Sequence, residues 1–251
     1  MEHKKADSFV KNFSHPQEKS LSFNVASLNE QFKNSTPQDV LSWCIQNIDS
    51  GLVITTSFST SVIVNILYRE LNPKQPIPVL FLDTLHHFPE TLEAAEEASR
   101  FYELDLRVYR TTTASNREEF AQVHGDTLWE RDIDRFHYLT KVEPLQRALN
   151  EMNVAAWITG RRRNQSDIRH EMSVFERESQ GRLKINPLAN WAREDLWQYI
   201  QEHQVLYNSL HDKGYTSIGD EPLTTPVEEG ETERAGRWRG SKKCECGIHL
   251  W

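Results

Sequence analysis

Two thiols separated by one residue close the chain, in the run Cys244-Glu245-Cys246-Gly247-Ile248-His249-Leu250-Trp251, after Ser241-Lys242-Lys243. The reactive form of cysteine is the thiolate, and neighbouring lysines or a charged histidine ease its formation. Lys242, Lys243 and His249 all lie within a few residues of these thiols, and Gly247 allows a tight turn behind Cys246. A nucleophile on a mobile chain end could close over a bound substrate and then swing out to meet a partner. From spacing alone, a frayed tail with two inert thiols fits equally well.

The second chemical feature is a loop, Gly160-Arg161-Arg162-Arg163-Asn164-Gln165-Ser166-Asp167-Ile168-Arg169, with four arginines in an acidic chain of formal charge −8. Guanidinium forks suit phosphate oxygens bidentately. The loop follows the apolar run Val154–Thr159, which reads as a strand. Arg234 and Arg237 add two more cations shortly before the cysteines.

These groups need a scaffold. At 251 residues the chain can build one large α/β domain. Residues 1–20 are polar and aperiodic and are expected to be poorly ordered, residues 21–219 to form the domain, and residues 220–251 to form a mobile C-terminal segment. Helices are predicted over Leu21–Phe32, Pro37–Ile48 and Val62–Leu71, after the stretch Leu85–Thr91 through about Tyr102, over Arg117–His124, from Thr140 to Met152 and over Arg193–Gln204. Strands are predicted over Gly51–Thr56, Pro78–Leu82, Leu104–Tyr109, Val154–Thr159 and Leu183–Asn186. From Asp212 onward glycine, proline and charge predict an extended segment crossing the surface. The alternation implies a doubly wound, mostly parallel twisted sheet with helices on both faces. Ligands then bind beyond the carboxyl ends of strands. There lie the turn Ser57-Phe58-Ser59-Thr60-Ser61, suited to phosphate but by itself better read as simple helix capping, and Asp83-Thr84. His86-His87 are adjacent and cannot easily converge on one metal ion, so hydrogen bonding or packing is expected of them, and no metal site is assigned.

Acidic balance argues against nucleic-acid binding. No apolar run approaches membrane-spanning length, and Met1–Asp7 lacks a signal-peptide core. With three cysteines, a reducing cytoplasm is the expected compartment. Cys44 falls in a helical apolar pattern and reads as core, which leaves two thiols, too few for an all-cysteine iron–sulfur cluster.

Taken together, these segments resemble the assimilatory phosphoadenylyl-sulfate reductases and their adenylyl-sulfate reductase relatives. Glu245-Cys246-Gly247-Ile248-His249 is similar to the family's ECG[LI]H. Leu82-Asp83-Thr84 with Phe88-Pro89-Glu90-Thr91 is similar to its LDT and FPET stretches, and Lys141–Leu145 to KVEPL. Gly160–Arg169 resembles GxRRxQSxxR, and Arg234–Trp238 resembles RAGRW. The resemblance spans Gly51 to His249. It implies an adenine-nucleotide α-hydrolase-like sheet related to the ATP pyrophosphatases. It also implies a reaction in which Cys246 attacks the sulfate sulfur of phosphoadenylyl sulfate (PAPS) and becomes an S-sulfocysteine. Thioredoxin, or glutaredoxin in some members, then releases sulfite, leaving adenosine 3′,5′-bisphosphate; a homodimer is also implied. On this reading Lys141, Arg234, Arg237 and His249 hold the phosphosulfate. Gly160, Arg161, Arg162, Gln165 and Arg169 hold phosphates, Ser57–Ser61 cradle phosphate, and Asp83-Thr84 meet the nucleoside.

Relatives with an iron–sulfur cluster carry a double cysteine before KVEPL and a CxxC after the GYxSIG stretch. Here those places read His137-Tyr138-Leu139-Thr140 and Asp220-Glu221-Pro222-Leu223. The expectation is a protein with no bound cofactor and a preference for the 3′-phosphorylated substrate, with a cluster-free adenylyl-sulfate reductase as the alternative. Cys244 could resolve Cys246, act as a redox brake, or do nothing. An ATP pyrophosphatase would need SGGxDS where Ser57–Ser61 stands. A non-catalytic nucleotide-binding redox sensor would use the two tail thiols but not the arginine loop.

Overall fold

The computed structural model describes residues 23–241, 243 and 245–249. The expectation for residues 1–20 and the readings of Cys244 lie outside the described residues. In chain order the elements are α1 (Val25–Gln31), α2 (Pro37–Asn47), β1 (Leu52–Thr56), α3 (Val62–Asn65), β2 (Val79–Leu82), α4 (Pro89–Tyr102), β3 (Leu106–Tyr109) and α5 (Arg117–His124). There follow α6 (Leu128–Arg131), α7 (Ile133–His137), α8 (Glu143–Glu151), β4 (Ala156–Ile158), β5 (Phe175–Arg177), β6 (Leu183–Ile185) and α9 (Arg193–His203). Two π-helical turns, Ile66–Leu71 and Tyr138–Val142, extend α3 and join α7 to α8.

The strands form one sheet in the order β3-β2-β1-β4-β6-β5, parallel throughout except for the β5–β6 pair. Side chains of a strand alternate between faces, so each central strand feeds two cores. Leu52, Ile54, Val79, Phe81, Ala156 and Ile158 pack on the face that carries α2, α3, α4 and α9. Val53, Leu80 and Trp157 pack on the other, against Leu145, Ala148 and Leu149 of α8. Helices on both faces of a parallel sheet explain why these strands read as continuous apolar runs.

Local signals set several boundaries. Thr36 and Asp39 form a capping box at α2, with Pro37 in its first turn. Asn116 caps α5 through the Glu119 amide. Cys44 is fully buried, and burial raises its thiol far above the ordinary range, as expected of a core filler.

The structure corrects three expectations. Phe175–Arg177 is an added antiparallel edge strand; three residues are too few to display a period. The helix predicted from Thr140 is preceded by α6 and α7, because Asp132, a polar break in the sequence pattern, is itself the α7 cap. The segment beyond Asp212 does not simply cross the surface. Asp220 is 0 % and Trp238 3 % exposed, and isolated bridges pair His87 with Asp220 and Thr224 with Arg237. Its short turns leave no hydrophobic periodicity to read.

Candidate functional site

Strand order reverses between β1 and β4, since the chain builds outward to β3 on one side and to β6 on the other. A crevice opens at the carboxyl ends of strands at such a switch point. Here the β1 turn and the β4 arginine loop face each other across it, and the C-terminal tail lies over it. The cleft is lined by Ser57, Ser59, Thr60, Thr84, Lys141, Gly160, Arg161, Arg162, Gln165, Arg169, Arg234, Arg237, Cys246 and His249. The sequence singled out all fourteen.

Three other expected residues do not line it. Phe58 adopts φ +52° and turns its ring into the core against Phe81, 5.5 Å between centroids. Ser61 is 4 % exposed, its backbone joined to Leu206 and Asn65. The carboxylate of Asp83 accepts from the Leu85 amide at 2.9 Å and pairs with Arg110 at 3.1 Å. These contacts tie it to the turn after β2. In each case the residue type suited the role, but pleat or turn geometry aimed the side chain elsewhere.

The cations of the cleft are held by fixed acceptors. Arg162 grips Glu233 with two hydrogen bonds of 2.7 and 2.8 Å. Arg161 pairs with Glu176 and donates to Asn186 Oδ1 at 3.0 Å. Arg163 turns outward to the Met172 carbonyl and Asn190. Lys141 Nζ meets Asp220 Oδ2 at 2.5 Å. Arg237 donates to Ser217 Oγ at 3.3 Å and to the Ile218 carbonyl at 3.2 Å, and lies 4.5 Å over the Trp238 ring. A Cβ on Gly219 would fall 2.1 Å from that guanidinium, so glycine there leaves it room. Burial, and then Arg169 and Arg237, lower Arg234 to about 10, which leaves it cationic at neutral pH.

The tail is fixed residue by residue. Glu245 accepts from Arg169 Nε and Nη2 at 2.6 and 3.0 Å, and Arg234 Nη2 lies 3.4 Å away. Burial alone would raise the Glu245 carboxyl, but Arg169 and Arg234 outweigh it and hold it below its usual value. Gly247, at φ +94°, reverses the chain behind Cys246. Ile248 then packs against the α8-side core, and the His249 ring stacks on Trp157, 7° from parallel. Lys184 Nζ lies 3.4 Å from the His249 carbonyl and 5.2 Å from the Trp157 centroid.

Of the sequence neighbours expected to act on the thiols, two are engaged elsewhere or uncharged. Lys243 pairs with Asp134, Lys242 lies outside the described residues, and His249 is neutral. Burial, followed by the charges of Arg161, Arg169, Lys184 and Arg234, drives the His249 imidazole far below its ordinary value. Arg234 and Arg237 each lie near enough to Cys246 to interact with it through charge.

Several cleft or support residues escaped the sequence reading. Arg193, Trp197 and His211 line the end of the cleft near Ser59, whose hydroxyl lies 3.0 Å from His211 Nε2. Trp157 and Lys184 carry the tail from within strands. Asp220 stands behind Lys141. Among these, only Asp220 stood at a position already marked, as a departure from a cysteine pattern.

The two cluster-cysteine places do come together in space. His137 Nε2 and Asp220 Oδ2 are 3.6 Å apart, and Trp238 Nε1 donates to His137 Nε2 at 3.4 Å. One buried imidazole and one carboxylate already held by Lys141 do not fit an iron–sulfur cluster, which takes thiolates. Among the described residues, no group of three or more His, Cys, Asp or Glu side chains converges as a metal site. Among the described residues, no helix is long and apolar enough to cross a membrane.

Fold and site together define an α/β protein whose cleft sets the Cys246 thiol among cations. The phosphoadenosine phosphosulfate reductase domain model matches residues 51–226, and the chain belongs to that family. It is 46 % identical to the phosphoadenosine phosphosulfate reductase of Emericella nidulans, over 88 % of this chain and 74 % of that one. It is 40 % identical to the adenosine 5′-phosphosulfate reductase of Halalkalibacterium halodurans, over 92 % of this chain and 99 % of that one. A crystal structure of the Candida auris PAPS reductase superposes with a TM-score of 0.73 at 38 % identity, covering 83 % of this chain and 100 % of that one. The Candida glabrata FMN adenylyltransferase shares the fold alone, at 14 % identity and a TM-score of 0.56, covering 91 % of this chain and 82 % of that one. The expected relation to adenine-nucleotide α-hydrolase-like enzymes therefore holds at the level of the fold.

Proposed function

We propose that this protein is a reductase of sulfate assimilation that converts 3′-phosphoadenylyl sulfate to sulfite. The observation that carries the reading is Cys246, one thiol in a cleft lined by seven Lys and Arg side chains and two carboxylates. A sulfonucleotide brings several negative charges, and their repulsion of an incoming thiolate must be neutralised where charge develops. The Cys246 thiolate attacks the sulfur, the bond from sulfur to the phosphate oxygen breaks, and adenosine 3′,5′-bisphosphate leaves with that electron pair. Lys141, Arg234 and Arg237 stabilise the departing phosphate, while the neutral His249 offers a hydrogen bond without a charge. The product is an S-sulfocysteine on Cys246.

The second half-reaction belongs to an external dithiol, for which thioredoxin is the proposed donor, with glutaredoxin as its substitute. One thiolate attacks Cys246 Sγ and expels sulfite. The second closes the donor's disulfide and returns Cys246 to the thiolate, so two electrons pass from donor to sulfur. The tail must undock for this exchange. No bound cofactor takes part, and a cytoplasmic homodimer is the proposed state. The experiment is mass spectrometry of the protein mixed with its sulfonucleotide in the absence of reductant. Addition of SO3 to the peptide containing Cys246 is expected, and its absence would end the scheme. Comparing sulfite yield from the 3′-phosphorylated and unphosphorylated sulfonucleotides decides between this substrate and adenylyl sulfate, the alternative that the name of the Halalkalibacterium halodurans relative raises.

A further inference from the structure

We infer that Asp220 is a positioning residue for the reaction, acting through Lys141 and making no contact with the substrate. This rests on the reading of Lys141 as a ligand of the phosphosulfate. Three observations support it. Asp220 is 0 % exposed, and it does not line the cleft, whereas Lys141 does. Its Oδ2 takes Lys141 Nζ at 2.5 Å, while its Oδ1 has no hydrogen-bond partner among the described residues. A fully desolvated carboxylate satisfied at one oxygen is a poor source of stability, because the cost of burying two ions rivals their attraction. Charge held at such cost beside a cleft points to function.

The surroundings make Asp220 a rigid abutment. The Glu221 amide donates to the His86 carbonyl at 2.7 Å, Asp220 bridges His87, and Thr224 Oγ1 donates to the Asp220 carbonyl at 2.8 Å. The backbone of Asp220 is thus fastened to the turn after β2. Lys141 sits in the π-helical turn Tyr138–Val142, and insertions of this type recur at functional sites because they re-aim a side chain. Neutral His137, lowered to about 4 by its burial, accepts from Trp238 and leaves Lys141 as the side-chain donor to Asp220. One hydrogen of the ammonium is therefore committed to Asp220, and two remain to be directed into the cleft.

The test is a double-mutant cycle of D220N, K141M and D220N/K141M, reading sulfite release with saturating reductant alongside the binding of adenosine 3′,5′-bisphosphate. K141M should lose about a hundredfold in kcat, the scale for removing one preorganised donor. D220N should lose tenfold or more in kcat with KM and bisphosphate binding changed less than threefold. The double variant should match K141M within twofold, since Asp220 acts only through the ammonium. A merely structural Asp220 would lower the melting temperature and leave kcat per folded molecule intact. Unchanged or raised kcat in D220N, or a double variant tenfold below K141M, would overturn the proposal. If D220N does not fold, the double variant, which buries no unpaired charge, carries the same comparison with K141M. Failure of the wild-type protein to release sulfite would end the underlying reading and the proposal with it. A wild-type protein that reduces, beside a D220N protein of undiminished kcat, would overturn the proposal alone.

Discussion

Replacing Glu245 with glutamine separates holding the tail from binding the nucleotide. The Glu245 side chain is 8 % and the Arg169 side chain 10 % exposed, so their contact is made away from bulk water. Glutamine keeps the shape but removes the charge facing two guanidiniums. A charge-assisted hydrogen bond is worth about 1.5–3 kcal/mol, and an unpaired buried cation costs more. Taking about 2 kcal/mol as the loss in the docked state, the ratio of docked to undocked tail falls about thirtyfold. Cys246 is the next residue, so its encounter with bound substrate should fall by a similar factor. The assay is the single-turnover rate of SO3 transfer to Cys246 at saturating sulfonucleotide, with bisphosphate affinity measured in parallel. E245Q should transfer about thirtyfold more slowly if the docked tail is not already in large excess, and bind the nucleotide at least as well as wild type. Trypsin cleavage after Lys243 in the ligand-free protein should accelerate in parallel, which reports docking directly. Transfer and cleavage both at wild-type rates would refute the claim that this ion pair holds the nucleophile.

Cys246→Ser should abolish sulfite release and leave bisphosphate binding within threefold, as measured by calorimetry; sulfite above one per cent of the wild-type rate would contradict Cys246 as nucleophile. Gly247→Ala places a side chain at φ +94°, at a cost of about 1–2 kcal/mol in the turned tail. Its SO3 transfer should fall about tenfold, with the melting temperature of the domain unchanged. Stability should decline as pH falls from about 6.5 toward 4. His137 is held down to about 4 chiefly by burial, and the unfolded chain takes up the proton first. The stability from this group is full above the unfolded value and is lost as pH falls through the folded one; at pH 5 the loss is about 2 kcal/mol. His86, His87, His211 and His249 are shifted in the same direction. Urea midpoints that stay flat between pH 7 and pH 5 would count against buried neutral histidines.

The central strands were legible because burial on both faces makes them apolar without interruption, and the turns after them could be placed by order alone. The arginine loop was legible for a different reason, since cations clustered after a buried strand in an acidic chain have few other uses. What escaped depended on direction or on distance along the chain. Asp83 and Ser61 had suitable side chains, but the turn aims one at Leu85 and Arg110 and buries the other. Asp220 and Lys141 are 79 residues apart, and no local pattern announces that their charges meet. Trp157 read as core, and it is core on one ring face, yet the other carries His249. The tail pointed to the thiol but showed only part of the charge around it. Of its neighbours in sequence, Lys243 is paired with Asp134 and His249 is neutral, whereas Arg234 and Arg237 are brought to Cys246 by the fold.

The resident carboxylates also impose an order on events. Glu176, Glu233 and Asp220 neutralise Arg161, Arg162 and Lys141 from the body of the domain, where each contact can persist with the tail displaced. Glu245 differs, because it neutralises Arg169 and Arg234 from the tail itself. Undocking therefore withdraws the Glu245 carboxylate from two guanidiniums in the cleft at the moment an anionic substrate must enter, and docking over a bound anion sets three anionic groups, counting the thiolate, against the same cations. Tail closure and nucleotide binding are then thermodynamically linked, and the coupling must be equal in both directions. Trypsin cleavage after Lys243 reads that coupling. If the bisphosphate shares the arginines with Glu245, its saturation should slow cleavage; if it displaces Glu245, saturation should speed cleavage, and the effect should vanish in E245Q. Cleavage indifferent to the bisphosphate in the wild-type protein would show that Arg169 and Arg234 serve the tail alone.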